Sequence, residues 1–337
     1  MKPWLVLGAI CAGIASTASA QKVLPWTETV ISVDDLDASS RLFRDLGGWR
    51  VVREDTVDAA ELRYWKLPET ASGRFQLICA PKARIGCIRF VKFQGAGEQK
   101  PIRAALRAWD TGGIFSVMVR SDNVPQLYEN ALKLGWWAES PPIRFQFGTS
   151  DLRNVVLTGP HGVNLAVYER ISPDFTAFPV GPVSQAFNSM RMVRNKPIAR
   201  EFYEEKLGFQ LLFDSANESE KPTPSNFGIP LNYTPKIKRS AAALQPQPGE
   251  IGRVEVMQIE GFEGLDASKA AGPPNFGILS VRYPVESLRG YRKQLEARGV
   301  KVEYAADKVA IGSIGLVDIF AVRDPDGNLT EFYELSE

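Results

Sequence analysis

The segment VRDPDGNLTEFYE, residues 322–334, sets a tight Asp-Pro-Asp-Gly turn in front of a β-rich run that carries Glu331. A carboxylate fixed on a strand can act as a base or hold a cation, so this is the first place to look for chemistry. Other catalytic groups are scarce. His161, in the turn-like stretch GPHGVN, is the chain's one histidine and reads as a surface turn residue. An iron centre of two histidines and a carboxylate lacks the imidazoles it needs, and a Ser-His-Asp relay has only His161 to draw on, at a turn tip that does not suit a base. There is no G-x-S-x-G elbow or Walker loop, and QGAGEQ at 94–99 lacks the spacing of a dinucleotide fingerprint.

Cys79 and Cys87 flank Pro81-Lys82-Ala83-Arg84, which reads as a turn between adjacent strands. Two outcomes stay open for them, a disulfide or a pair of buried thiols. No histidine lies near either in sequence, so neither reads as an activated nucleophile. Residues 1–20, MKPWLVLGAICAGIASTASA, have an early lysine, an apolar run from Leu5 to Ile14 and a small-residue end. That is a secretory signal cleaved before Gln21, and the apolar run is far shorter than the roughly 20 residues of a membrane span. The expectation is an exported protein, periplasmic or secreted, with no membrane attachment after cleavage. Lys+Arg of 40 against Asp+Glu of 39 leaves no basic excess for nucleic acid.

The elements that would position these residues repeat. ETVISVDDLDASSRLFRDLGGWRVV from Glu28 and NSMRMVRNKPIAREFYEEKLGFQLL from Asn188 share a plan: strand, polar turn, short amphipathic helix with an aromatic, Leu-Gly, second strand. The plan recurs in GIFSVMVRSDNVPQLYENALKLGWWAE and in FGILSVRYPVESLRGYRKQLEARGVKVE. Closing segments repeat too, as GPHGVNLAVYE beside RDPDGNLTEFYE. Modules one and three are alike, as are two and four, which predicts a duplicated pair. The expected domains are residues 21–172 and 183–337, joined through the proline-broken stretch ERISPDFTAFPVGPVS at 169–184. Prolines also interrupt residues 214–250, which reads either as a lid over a cavity or as a loose excursion.

A paired βαβββ module with the opening V-x-D-L-x-x-S…F…LG and the closing DPDGN-x-x-E resembles the vicinal oxygen chelate superfamily, which includes glyoxalase I, extradiol dioxygenases and bleomycin-resistance proteins. The resemblance implies an α+β fold in which four βαβββ modules pair into two glyoxalase-like half-barrel domains, each around a small-molecule cavity. It also implies that a divalent metal, where present, is held by side chains of the first and last strand of each module. Registered on this sequence, those positions are Glu28, Arg89, Ile114 or Phe115, and Ala166 in the first domain. In the second they are Asn188, Glu255, Phe276 or Gly277, and Glu331. In the first set only Glu28 could ligate, because the alanine and the apolar residue have no donor and guanidinium offers no lone pair, so no metal is expected there. In it Glu28 and Arg89 face each other, as a structural pair or to orient a polar ligand. The second set, Asn188, Glu255 and Glu331, would suit a hard cation such as Mg²⁺, Ca²⁺ or Mn²⁺. The cofactor expectation is therefore none, or one divalent cation in the second domain.

Aromatic residues at strand spacing could line a cup: Trp65 and Phe75 in module one, Phe115, Phe145 and Phe147 in module two. Strand alternation in IRFQFG puts Arg144 and Gln146 on one face, Phe145 and Phe147 on the other. The leading expectation is a protein that binds a small aromatic or lipophilic molecule, with Glu28, Arg89, Trp65, Phe115 and Phe145 as candidate contacts and a degenerate metal site. The competing one is a metal-dependent lyase or isomerase with Glu255 or Glu331 as base. A scaffold that binds a protein on its surface is the third.

Overall fold

The structure is a computed structural model that describes residues 22–336. The signal expected over residues 1–20, its cleavage point before Gln21, and Cys11 lie outside the described residues. Module one comprises β1 (Glu28–Ser32), α1 (Leu36–Asp45), β2 (Arg50–Thr56), α2 (Ala59–Tyr64), β3 (Ser72–Cys79) and β4 (Cys87–Gln94). Module two comprises β5 (Ile114–Arg120), α3 (Val124–Lys133), β6 (Ile143–Phe147), β7 (Ser150–Thr158) and β8 (Asn164–Ser172). Module three has β9 (Asn188–Met192), α4 (Lys196–Glu201), β10 (Gln210–Asn217), β11 (Lys238–Gln245) and β12 (Arg253–Glu260). Module four has β13 (Gly277–Pro284), α5 (Leu288–Ala297), β14 (Val302–Ile311), β15 (Gly315–Arg323) and β16 (Leu329–Leu335).

The repeated polar turn is a helix cap. Asp35, Asn123, Asn195 and Ser287 each accept from the backbone N–H three residues on, at 2.9, 3.0, 3.1 and 3.3 Å. Each thereby satisfies a donor that the first helical turn leaves free. Apolar residues at helical spacing then fix the buried face, Val124, Leu127 and Ala131 in α3 and Leu288, Tyr291 and Leu295 in α5. The Gly of Leu-Gly ends the helical stretch in the left-handed region, with φ of 84° at Gly135 and 79° at Gly208.

Two eight-stranded sheets result, in the orders β14-β15-β16-β13-β1-β4-β3-β2 and β10-β11-β12-β9-β5-β8-β7-β6. Within each module the first strand runs parallel to the last, while β1 pairs antiparallel with β13 and β5 with β9. Each sheet therefore joins modules from both halves of the chain, one with four and two with three. This corrects the division into 21–172 and 183–337: the stretch 169–184 leads from β8 to β9 inside one sheet, and the chain changes sheets through 95–113 and 261–276. Charge explains the choice of partner. Glu28 lies opposite Arg282 in the β1–β13 register, whereas Asn188 lies opposite Met118 between β9 and β5. A buried Glu beside a module without that arginine would be left uncompensated.

Helices α1, α3, α4 and α5 pack between the sheets. Phe43, Leu127, Ala199 and Leu295 from the helices share one core with Phe90, Val117, Leu244 and Phe320 from both sheets. Alternation then turns the other strand face into a cup on each sheet, as where Ile31 enters this core and Val30 enters the cup. The segment 214–250 is neither wholly irregular nor loose. Its proline-free run forms β11, and residues 218–237 drop Phe227, Ile229 and Ile237 into the second cup.

Candidate functional site

The first cup is filled by its own side chains. α2, between β2 and β3, carries Glu61 to the middle of the sheet, where Arg89 of β4 grips it with both terminal nitrogens at 2.5 and 2.8 Å. Arg282 of β13 reaches three carboxylates: Nη1 donates to Glu28 at 2.9 Å, Nη2 to Glu61 at 2.8 Å and Nε to Glu331 at 2.7 Å. Ser280 and the Trp65 indole donate to Glu331, and Ser313 donates to Glu28. All five charged side chains are buried. Burial alone would raise the Glu61 carboxyl, but the Arg89 and Arg282 guanidiniums outweigh it and hold it below the usual range. Burial likewise opposes the charge on Arg282, and Glu331, Glu61 and Glu28 overcome it and lift its pKa well above the ordinary value.

Several expectations change here. Glu28 does not pair with Arg89; Arg282 takes Glu28 and Glu61 takes Arg89. The third-strand position is Arg282, five residues beyond Gly277, and its counterpart in the other sheet is Met118 rather than Ile114 or Phe115. The donor set Asn188, Glu255 and Glu331 is split, because Glu331 belongs to this cup and the other two to the second. Trp65 is packed inside, with Arg282 5.3 Å over its ring. Glu61 and Arg282 were missed, although a charged residue inside an apolar strand run, as in ILSVRYP, is a readable sign of a buried ion pair.

The second cup holds a cavity of about 790 Å³. Its lining includes Phe145, Phe187, Phe213, Phe227, Tyr168 and Met118, with Arg120, Arg144, Arg170, Arg239 and Arg253 among them. Residues 218–237 occupy the place in module three that α2 takes in module one, between the second and third strands. Here they run along the cavity, contributing Thr223, Asn226 and Phe227 to its lining, and the Asn226 side-chain amide donates to Oδ1 of Asn154. Glu255 and Asn188 also line it, joined by a 3.3 Å bond from the Asn188 amide. Burial pushes the Glu255 carboxyl up to about 7, against opposing pulls from the Asn188 bond and Arg253. The same burial, with Glu255 nearby, raises the Tyr168 phenol.

Phe145 lines this cavity, on edge strand β6. Both faces of IRFQF reach it, because Arg144 and Gln146 line it as well, Arg144 while paired with Asp151. Phe115 lies in the adjoining apolar cluster, 6.1 Å from the Phe227 ring and under the Arg103 guanidinium. His161 keeps its turn, at φ 59°, but is largely covered, with Nε2 2.7 Å from the Asp34 carboxylate and its ring against Phe276. Cys79 and Cys87 form a disulfide between the end of β3 and the start of β4.

Neither cup fits the divalent cation that the resemblance implies. In the first, a guanidinium already stands among the carboxylates and takes one oxygen of each. In the second, the four corresponding positions are Asn188, Glu255, Met118 and Ala166. The Asn188 oxygen accepts from the Ser189 N–H, so Glu255 alone is left to bind a hard ion. Among the described residues, no group of three or more His, Cys, Asp or Glu is arranged to hold a metal.

Residues 190–332 match the family model described as Glyoxalase/Bleomycin resistance protein/Dioxygenase superfamily. Glyoxalase I from Zea mays is similar in structure, with 14% identity, 92% of each chain covered and a TM-score of 0.59. A putative dioxygenase from Bacillus subtilis subsp. subtilis str. 168 is similar at 11% identity over 94% of this chain and 87% of that one, with a TM-score of 0.56. At these identities the likeness is one of fold. No curated protein matches the sequence. The match through modules three and four and the two sheets of paired modules agree: residues 190–332 match the glyoxalase/bleomycin resistance/dioxygenase, or vicinal oxygen chelate, superfamily, and the chain as a whole shares the fold of glyoxalase I.

Proposed function

We propose that the protein binds a small aromatic or lipophilic molecule in the cavity of the second sheet, without a metal ion, and that the first sheet is a structural partner whose metal site is degenerate. The observation that carries this reading is the contrast between the cups: about 790 Å³ lined by Phe145, Phe187 and Phe227 in one, and a closed set of three glutamates and two arginines in the other. Concave apolar cavities with a few fixed polar groups are the usual form of small-molecule sites. The reading includes export to the periplasm or beyond, and the Cys79–Cys87 disulfide supports it because such bonds persist in oxidising compartments.

A thermal-shift screen of aromatic and lipophilic compounds tests the binding reading. Stabilisation by a subset of them, weakened at least tenfold in apparent affinity by Phe187→Ala, is expected. Trp65→Ala should lower stability by about 3–5 kcal/mol through loss of a buried indole, while the remaining folded protein keeps its ligand affinity. A screen without any stabilising compound overturns the reading, and so does a ligand whose affinity depends on Trp65 and not on Phe187.

A second reading rests on Glu255. A carboxyl that titrates near 7 in a cavity holds and releases a proton at neutral pH, as a general acid or base must. In this form the protein is a metal-independent isomerase or lyase acting on the bound molecule. Turnover that persists in excess chelator and disappears in Glu255→Gln, with ligand binding retained, would favour it over simple binding.

A further inference from the structure

The second sheet curls far enough for its two end strands to meet, yet no ladder closes the ring. β10 and β6 stand at opposite ends of the strand order, and among the described residues no backbone hydrogen bond joins them. Their side chains meet instead: the Phe147 ring of β6 lies 5.0 Å from the Phe213 ring of β10, edge to face at 66°. Both rings also line the cavity. A local irregularity aims each of them. Phe147 is the last residue of β6 and faces Ser150 across the turn Gly148-Thr149, where Gly148 takes a φ of 57°. In β10 the register to β11 slips between Leu211 and Phe213, so that the neighbours Leu212 and Phe213 both reach the cavity lining.

Residues 218–237 bridge the same two arms at a second place, running from β10 to β7. That bridge is anchored, because Asn226 donates to Asn154 and both Phe227 and Ile229 are buried. The bridge between the two rings is not. Phe147 is 38% exposed, no residue of β6 is fully buried, and β6 is hydrogen-bonded on one side only, to β7. In a closed barrel of about eight strands the hydrogen-bond ladder fixes the girth, and the interior just holds one small ligand. Here a single aromatic contact stands in for the missing ladder, so the girth of the cavity changes more readily at this place than anywhere along the paired strands.

Resting on the binding reading above, we infer that Phe147 and Phe213 form a clasp that selects ligands by breadth. A molecule that fits while the rings touch keeps their contact. A broader one must part them and lose it, and so binds less tightly than its larger apolar surface would allow. Loss of either ring abolishes the same contact, so the two residues act as one unit and not as two independent pieces of wall.

Fused-ring probes test this with the intact protein. Fluorescence titration at pH 7 compares 1-naphthol, 9-phenanthrol and 1-pyrenol, which share one hydroxyl and differ in breadth. The ratio of pyrenol to naphthol affinity is expected to rise at least tenfold in Phe147→Ala and in Phe213→Ala, with phenanthrol in between. The double variant should show no further rise, and Phe147→Tyr, which keeps a ring, should hold the ratio of the parent. Leucine at either position removes the aromatic contact while keeping apolar bulk, and moves the ratio in the same direction should an alanine variant not fold. A ratio left unchanged by either single substitution overturns the clasp, and naphthol binding then leaves the lipophilic-site reading standing. A double-variant ratio equal to the product of the two single effects also overturns it, because the rings would then act as separate walls. If no probe binds the parent or any variant, the lipophilic-site reading falls and the clasp falls with it.

Discussion

Arg282 and Glu331 are register partners on the adjacent parallel strands β13 and β16, and the Nε of one donates to the Oε2 of the other at 2.7 Å with both side chains fully buried. The guanidinium thus stands among Glu28, Glu61 and Glu331 as a covalently attached cation. Two guanidiniums serve three carboxylates there, which leaves a formal charge of −1 in the interior. Such a cluster need not stabilise the fold relative to apolar side chains, because desolvation offsets much of the attraction. Removing one member is a different matter, since the others stay buried without compensation.

Arg282→Ala should therefore cost about 3–5 kcal/mol in urea unfolding at pH 7. Arg89 would still hold Glu61, while Glu28 and Glu331 would lose their guanidinium and, buried without a cation, would favour the protonated form. Native-state protons held more tightly than in the unfolded chain make stability fall as pH rises, so the variant's deficit should shrink when the measurement is repeated near pH 5. A deficit under 1 kcal/mol at pH 7, or one that is equal at both pH values, would show that the cluster does not act as a unit.

The disulfide offers a separate handle on module one. Cys79 and Cys87 are eight residues apart and close the turn between β3 and β4. By loop-closure entropy, a bridge over so short a loop contributes about 2–3 kcal/mol. Cys79→Ser with Cys87→Ser should lose that amount in urea unfolding, and reduction of the parent protein under denaturing conditions followed by refolding in dithiothreitol should reproduce it. Equal stability of oxidised and reduced protein would contradict the expectation.

Much of the fold could be read from repeated segments, for a physical reason. The cap residues Asp35, Asn123, Asn195 and Ser287 recur at the same step after each opening strand, and local hydrogen bonding suffices to make each turn. The turn DPDGN is local in the same sense: Asp324 accepts from the N–H groups of Asp326 and Asn328. What local reading could not supply was the partner of each first strand. β1 and β13 are about 250 residues apart, and either pairing of modules satisfies the periodicity of every strand. The choice rests on Glu28 meeting Arg282, and that depends on a register fixed only when the sheet forms. Reading the third-strand position five residues early placed Gly277 where Arg282 stands, so the cation in the first cup went unseen. The segment ELRYW hid α2 and Glu61 for a related reason: a helix this short has too few turns to show a period. The positions Glu28, Arg89, Asn188, Glu255 and Glu331 were correctly assigned to first and last strands, and of these only Glu331 was grouped with the wrong cup.

Glu255 provides the last expectation. Burial raises its carboxyl to about 7 from an ordinary 4.5. Below the lower value the group is protonated in folded and unfolded chains alike and contributes no pH dependence. Between the two values the native state holds a proton that the unfolded chain has released, so stability falls as pH rises. Above about 7 both states are ionised and the penalty levels off, at about 3 kcal/mol from the size of the shift. Glu255→Gln keeps an oxygen to accept from the Asn188 amide and cannot ionise. Relative to the parent it should gain stability at pH 8 and lose most of that advantage by pH 5, as measured by urea unfolding at each pH. A difference between variant and parent that is constant from pH 5 to 8 would mean that the cavity solvates this carboxylate fully. Glu255 would then titrate as an ordinary surface carboxyl and could not serve as a base poised near neutrality.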